Sequence, residues 1–171
     1  AKIYGFGFLT SKVVFTHHHL ETQLASGALD VSQLNDVAMV QCWRSRDESR
    51  SYCSRVCCAN AIKNILKLKQ KRPDLPIYVF YRDVMPYGFT EHYYTKARDA
   101  VVVFIRYDDD TKPKVTFHNG DGADVSAHDP ALDRDIQLHV DLVVLSSGVE
   151  PGDNEELSEL FGVGLDEDGF F

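Results

Sequence analysis

The turn after the chain's first strand pattern has no glycine, and no G-x-G-x-x-G follows any strand. That absence excludes the usual cradle in which backbone approaches a dinucleotide pyrophosphate. Positive charge is also short: 18 Lys and Arg face 26 Asp and Glu, a net charge of -8. A nucleic-acid binder needs a basic surface, so that class is excluded. No apolar run reaches the length of a membrane span, which speaks against direct membrane insertion. The opening residues carry no leader pattern, which predicts a cytoplasmic protein with reduced thiols. No nucleophile elbow supports Ser/His/Asp catalysis. Cysteine is missing everywhere except one stretch, which holds Cys42, Cys53, Cys57 and Cys58.

What is present follows a regular order. Thr16 can cap a short helix that Gly27 ends. His17, His18 and His19 point in different directions and read as a solvated or partly packed helix start. "DVAMVQCW" (36–43) reads as a buried strand and 54–71 as a helix stopped by Pro73. "LPIYVFY" (75–81) is a second strand. A second helix begins at Thr90, and "VVVFIRY" (101–107) is a third strand. Strand–helix alternation predicts a parallel sheet with right-handed crossovers. The segments from 112 to 140 alternate like an antiparallel meander, with Asn-Gly and Asp-Gly turns. A last buried strand runs over 140–148, then a short surface helix ends near Gly162. The "GFF" ending reads as a cut from a longer protein, and its exposed apolar residues predict self-association, in the simplest case a homodimer.

Four thiols at one strand-loop-helix junction point to metal or redox chemistry. Cys42 falls at the strand tip. Cys53, Cys57 and Cys58 are expected within the first turns of the helix, where free N–H groups and the dipole favour thiolates. The spacing C-x10-C-x3-C-C departs from both the paired zinc knuckle and the ferredoxin run. An iron–sulfur cluster, zinc, a redox disulfide and inert thiols all remain open on spacing alone. Tyr81-Arg82-Asp83 stands where dinucleotide folds read ribose, but without the glycine turn it reads as a solvated loop. Tyr87, Phe89, Tyr93 and Tyr94 read as packing aromatics, and Asp108–Asp110 as a solvated turn.

"QCWRSRDE" and "YCSRVCCANAIK" resemble the flavin-containing, A-type subunit of heterodisulfide reductase. They also resemble the flavoprotein subunits of quinone-interacting membrane-bound oxidoreductases. "IYVFYRDVMPYGFTEHYYTKARD", "DLVVLSSGVEP" and "LFGVGLDEDGFF" extend the likeness, and "YGFG" near the start fits it. The resemblance implies an α/β fold: a Rossmann-like three-layer domain with a parallel sheet and an antiparallel β meander, like the nucleotide-binding domain of thioredoxin reductases. It implies a lead-in at 1–35, the Rossmann-like domain at 36–148, and at 149–171 a return toward an FAD domain outside this chain. It also implies a [4Fe-4S] cluster on Cys42, Cys53, Cys57 and Cys58, and electron transfer inside a multi-subunit oxidoreductase. FAD would then belong to the full-length protein only, with Gly148–Pro151 approaching the flavin. The ferredoxin-type cysteine runs of the full-length family members are absent here, and Trp43-Arg44 replaces a small-residue pair.

Overall fold

A computed structural model describes residues 13–118 and 122–171. The "YGFG" motif and the Asn119-Gly120-Asp121 turn lie outside them. Five parallel strands form the central sheet: β1 (Val14–Thr16), β2 (Val37–Val40), β3 (Ile77–Tyr81), β4 (Val103–Arg106) and β8 (Leu142–Leu145). Their order is β1-β8-β2-β3-β4. Helices α1 (His17–Ser26), α2 (Cys57–Lys71) and α3 (Glu91–Asp99) make the crossovers. Between β4 and β8 the chain builds a meander of β5 (Lys114–Phe117), β6 (Ala123–Asp129) and β7 (Arg134–Val140). A short α4 (Glu155–Phe161) closes the chain.

The central strands β2 and β8 are apolar throughout because both faces of the sheet are covered there, while β4 forms a partly exposed edge. Along β2 the pleat sends Val37 and Met39 to the helix side, where they meet Leu20, Ile65 and Leu68. Ala38 and Val40 go to the other side, where Val125 and Ala127 of the meander wait. The result is helices, parallel sheet and antiparallel meander as three layers, the expected α/β fold. In β6 every second residue is buried, Ala123, Val125 and Ala127, so the meander keeps one face for the core and one for water.

Local details refine the expectations. Within the stretch read as lead-in and short helix, Val14–Thr16 form a strand of the sheet, pairing in register with β8, and the helix follows as α1. Thr16 caps α1 by accepting from the His19 N–H, and Gly27 ends it at φ +73°. Thr90 does not cap α3. Its hydroxyl instead closes the preceding turn, accepting from the Tyr87 N–H at 2.9 Å and donating to the Tyr87 carbonyl at 2.7 Å. The packing role expected of the aromatics holds for Tyr94, which meets Phe104 edge to face. It fails for Phe89 and Tyr87, which are 97% and 72% exposed. They lie in the short loop before α3, beyond reach of the sheet.

Candidate metal centre

Parallel α/β sheets hold their ligands beyond the carboxyl ends of the strands. Here that edge is formed by Gln41 and Cys42 after β2, Arg82 and Asp83 after β3, and Ser146–Gly148 after β8. The turn from β2 to α2 lies across it. Lacking glycine, this turn puts ordinary residues into the left-handed region: Cys42 at φ 54°, Arg44 at 48°, Arg46 at 57° and Arg55 at 59°. Each such residue costs about 1 kcal/mol or more, so the surroundings must hold the loop in place.

They do so from two sides. Arg46 pairs with Asp83 at 2.7 Å, and Arg82 donates to the Arg46 carbonyl at 2.8 Å while pairing with Asp109. On the other side, Arg50 pairs with Glu150 at 2.9 Å and donates to the Arg44 carbonyl. Tyr52 donates to the Val149 carbonyl, and Ser54 accepts from the Val149 N–H, both at 2.9 Å. Tyr81-Arg82-Asp83 is therefore no solvated loop. Its Arg and Asp clamp the cysteine turn.

All four cysteines line one cavity, together with Ser45, Arg46, Ser54, Arg55, Asp83 and Met85. All four are free thiols. Their placement differs from expectation in one respect. Cys57 and Cys58 open α2, but Cys53 sits four residues earlier in the turn and is exposed. Arg55 in the left-handed region breaks the helical run that would have included it.

Each sulfur has a donor aimed at it. The Arg55 N–H donates to Cys53 Sγ at 3.4 Å. The Gly148 and Met85 backbone N–H groups point to Cys57 and Cys58, and the Arg46 guanidinium to Cys42. The Cys58 thiol donates in turn to the Asp83 carbonyl at 3.7 Å. Even so, the unligated thiols are not activated as the helix terminus suggested. Burial pushes Cys42 and Cys58 up, and Cys57 up to about 11, and the mutual repulsion of neighbouring thiolates adds to it. Withdrawal from water outweighs the dipole. These thiols are protonated at neutral pH until something with positive charge takes their protons' place.

The fit of a metal group can be judged from this. Four sulfurs on one cavity with cationic and N–H neighbours suit four-thiolate ligation of an iron–sulfur cluster, whereas they are not drawn together within 4.8 Å as the ligands of a single zinc ion would be. Space is tight: a water-sized sphere finds about 20 Å³ between the walls.

Sequence reasoning missed the supporting residues. Gly148 is one: it sits at φ +75°, and a Cβ there would lie 2.8 Å from Ser54 Oγ. The "SSG" after a buried strand was the available signal. His17 is another. It is buried, donating from Nε2 to Ser146 Oγ at 2.6 Å and accepting at Nδ1 from Asn64 at 3.2 Å. Ser146 Oγ–H donates to Gln41 Oε1 at 2.9 Å, so its oxygen accepts from His17, which sets this tautomer.

No family model matches this chain. Solved structures with the same architecture include the thioredoxin reductase of T. acidophilum, with a TM-score of 0.53, 12% identity, and coverage of 93% of this chain and 42% of that one. The thioredoxin reductase of Lactococcus lactis gives a TM-score of 0.54 at 13% identity, covering 99% and 47%. The fold is thus that of a thioredoxin-reductase-type, Rossmann-like domain. Sequence similarity is more specific. The chain is 36% identical over 142 residues to the iron-sulfur, A-type subunit of CoB–CoM heterodisulfide reductase from Methanocaldococcus jannaschii, covering 79% of this chain and 21% of that protein. It is 34% identical over 182 residues to the A-type subunit of the H2:CoB-CoM heterodisulfide,ferredoxin reductase from Methanothermobacter thermautotrophicus, covering 98% and 27%. The chain is a relative of these A-type heterodisulfide reductase subunits, and it spans about a quarter or less of the length of the two.

Proposed function

We propose that this chain is an electron-transfer segment of a multi-subunit oxidoreductase related to heterodisulfide reductase, and that Cys42, Cys53, Cys57 and Cys58 hold a [4Fe-4S] cluster. The observation that carries this reading is the convergence of all four sulfurs on one cavity, each facing a hydrogen-bond donor. Such a cluster, when bound, takes up and releases one electron at a time. The protein's share is electrostatic. Arg46 and Arg82, beside the site, offset the negative charge of four thiolates. The N–H groups of Arg55, Met85 and Gly148 spread sulfur charge and tune the potential. The ion pairs on both sides hold the turn so that little rearrangement accompanies a change of charge.

FAD in this reading is held by parts of the full-length protein outside this chain. Gly148–Pro151 would then lie between flavin and cysteines, since this segment already touches Ser54, Arg50 and Tyr52. The partners are other domains and subunits of a heterodisulfide-reductase-like or quinone-linked complex, working in the cytoplasm. Among the described residues no helix is long and apolar enough to cross a membrane.

The free state of all four thiols supports a second reading, a non-catalytic Rossmann-like interaction module with free thiols or a zinc site. Metal analysis separates the two. Anaerobic reconstitution with iron and sulfide should give about four irons per chain and broad absorption near roughly 400 nm. Cys57→Ser should abolish both. One tightly held zinc in protein isolated without oxygen, with no iron uptake, would overturn the cluster.

A further inference from the structure

The outer face of the meander carries a second group of ligating side chains. His118 follows the end of β5, Asp124 lies near the start of β6, and His139 near the end of β7. Asp124 and His139 are paired directly across the β6–β7 ladder. Phe117, just before His118, is paired with Ala123, just before Asp124. The pleat buries Ala123, Val125 and Val140 and turns Asp124 and His139 outward. All three side chains thus meet on the water side of one sheet end.

Their geometry converges. Asp124 Oδ2 lies 3.0 Å from His118 Nε2, and Asp124 Oδ1 lies 2.7 Å from His139 Nδ1. One ligand atom from each residue lies within 4.8 Å of the others. A tetrahedral ion with bonds of about 2.1 Å needs such atoms on the order of 3.4 Å apart, so the two carboxylate–imidazole separations open slightly to admit it, a small adjustment for exposed side chains. The backbone allows nothing bulky behind the site. Gly122 sits at φ +76°, where a Cβ would lie 2.5 Å from the Val140 carbonyl oxygen and 3.0 Å from His139 Nε2. The chain therefore closes directly on His139.

We propose that His118, Asp124 and His139 form a binding site for one divalent transition-metal ion of zinc's class, held by two imidazole nitrogens and a carboxylate oxygen, with water completing the coordination. Imidazole with carboxylate selects such ions over magnesium or calcium, which take oxygen ligands. The ion ties all three meander strands together at one end. The site is independent of the cysteines, which lie at the carboxyl edge of the parallel sheet. His128 marks the contrast. Its carboxylate neighbours, Asp135 at 2.9 Å from Nδ1 and Asp133 at 3.5 Å from Nε2, stand at different ring nitrogens and do not converge.

The test is a titration of the nitrogen-labelled chain with zinc chloride, read from the ring nitrogens of each histidine by NMR, which separates this site from zinc taken by the thiols. His118 and His139 should shift along one shared saturating curve while His128 stays still. Asp124→Asn should weaken that curve by at least about tenfold with the amide spectrum intact. Should that variant fail to fold, His118→Gln, at the strand end, serves in its place. Rings that do not move, only one ring moving, or His128 moving in step with them would overturn the site, as would an unchanged curve in the variants.

Discussion

Gly148 answers two demands that only glycine meets without strain. Its φ of +75° is in the left-handed region, and its missing side chain leaves room for Ser54. Gly148→Ala should cost about 1–3 kcal/mol, read as a lower urea midpoint, and should lower iron uptake, because the N–H facing Cys57 would shift. Full uptake with unchanged stability would show that the turn does not depend on this contact. His17 gives a prediction about pH. Burial holds its pKa down at about 4 from 6.5, with Glu21 opposing and Lys63 assisting. The unfolded chain therefore binds a proton between these values that the folded chain refuses. This contribution is complete above pH 6.5 and is lost as pH falls toward 4. Between pH 7 and pH 5 it removes about 2 kcal/mol of stability, and His17→Gln should lose much of that slope in urea unfolding at the two pH values. An equal slope in the variant would assign the loss to other groups.

The elements show what periodicity can and cannot carry. The cores of the stretches 36–43 and 75–81 were legible as strands because burial makes them apolar, and 101–107 was legible from its β-branched and aromatic run although it forms the partly exposed edge strand. Likewise, Ile62, Ile65 and Leu68 mark the buried side of α2. β1 is too short, at three residues, for any period to be seen. Cys53 was misplaced because a left-handed Arg55 leaves no sign in the sequence. The clamp from Arg82, Asp83 and Glu150 was illegible for another reason: it joins residues brought close only by the fold. At this scale the prediction concerns α2. A dinucleotide fold leaves the helix N-terminus open to phosphate, but here Cys57 and Cys58 occupy it under a turn held by ion pairs. NADH and NADPH should bind no more tightly than about 1 mM. Calorimetry giving micromolar binding would contradict this account of the turn.

For the molecule as a whole, the exposed apolar residues are not spread evenly. In α4, Leu160 and Phe161 are 74% and 70% exposed and Leu157 nearly half, as is Val163 just beyond the helix. A helix without one buried residue finds little among the described residues to stabilise its order. Self-association is the expected outcome in isolation, and Leu160→Asp with Phe161→Asp should return the chain to a monomer in light scattering. A monomer before substitution, at high concentration, would remove this face as the cause. The strand order has a different consequence, one of timing. β8 lies between β1 and β2, yet Ser146, just past its end, meets Gln41 and His17 across 105 and 129 positions of sequence. On the ribosome, β1 and β2 emerge with a gap between them that nothing fills until the chain has grown past residue 145. Gly148, whose N–H faces Cys57, emerges later still. The sheet therefore cannot close between β1 and β2 until β8 has emerged, and a metal group offered to the nascent thiols before then would meet cysteines that have not yet been gathered.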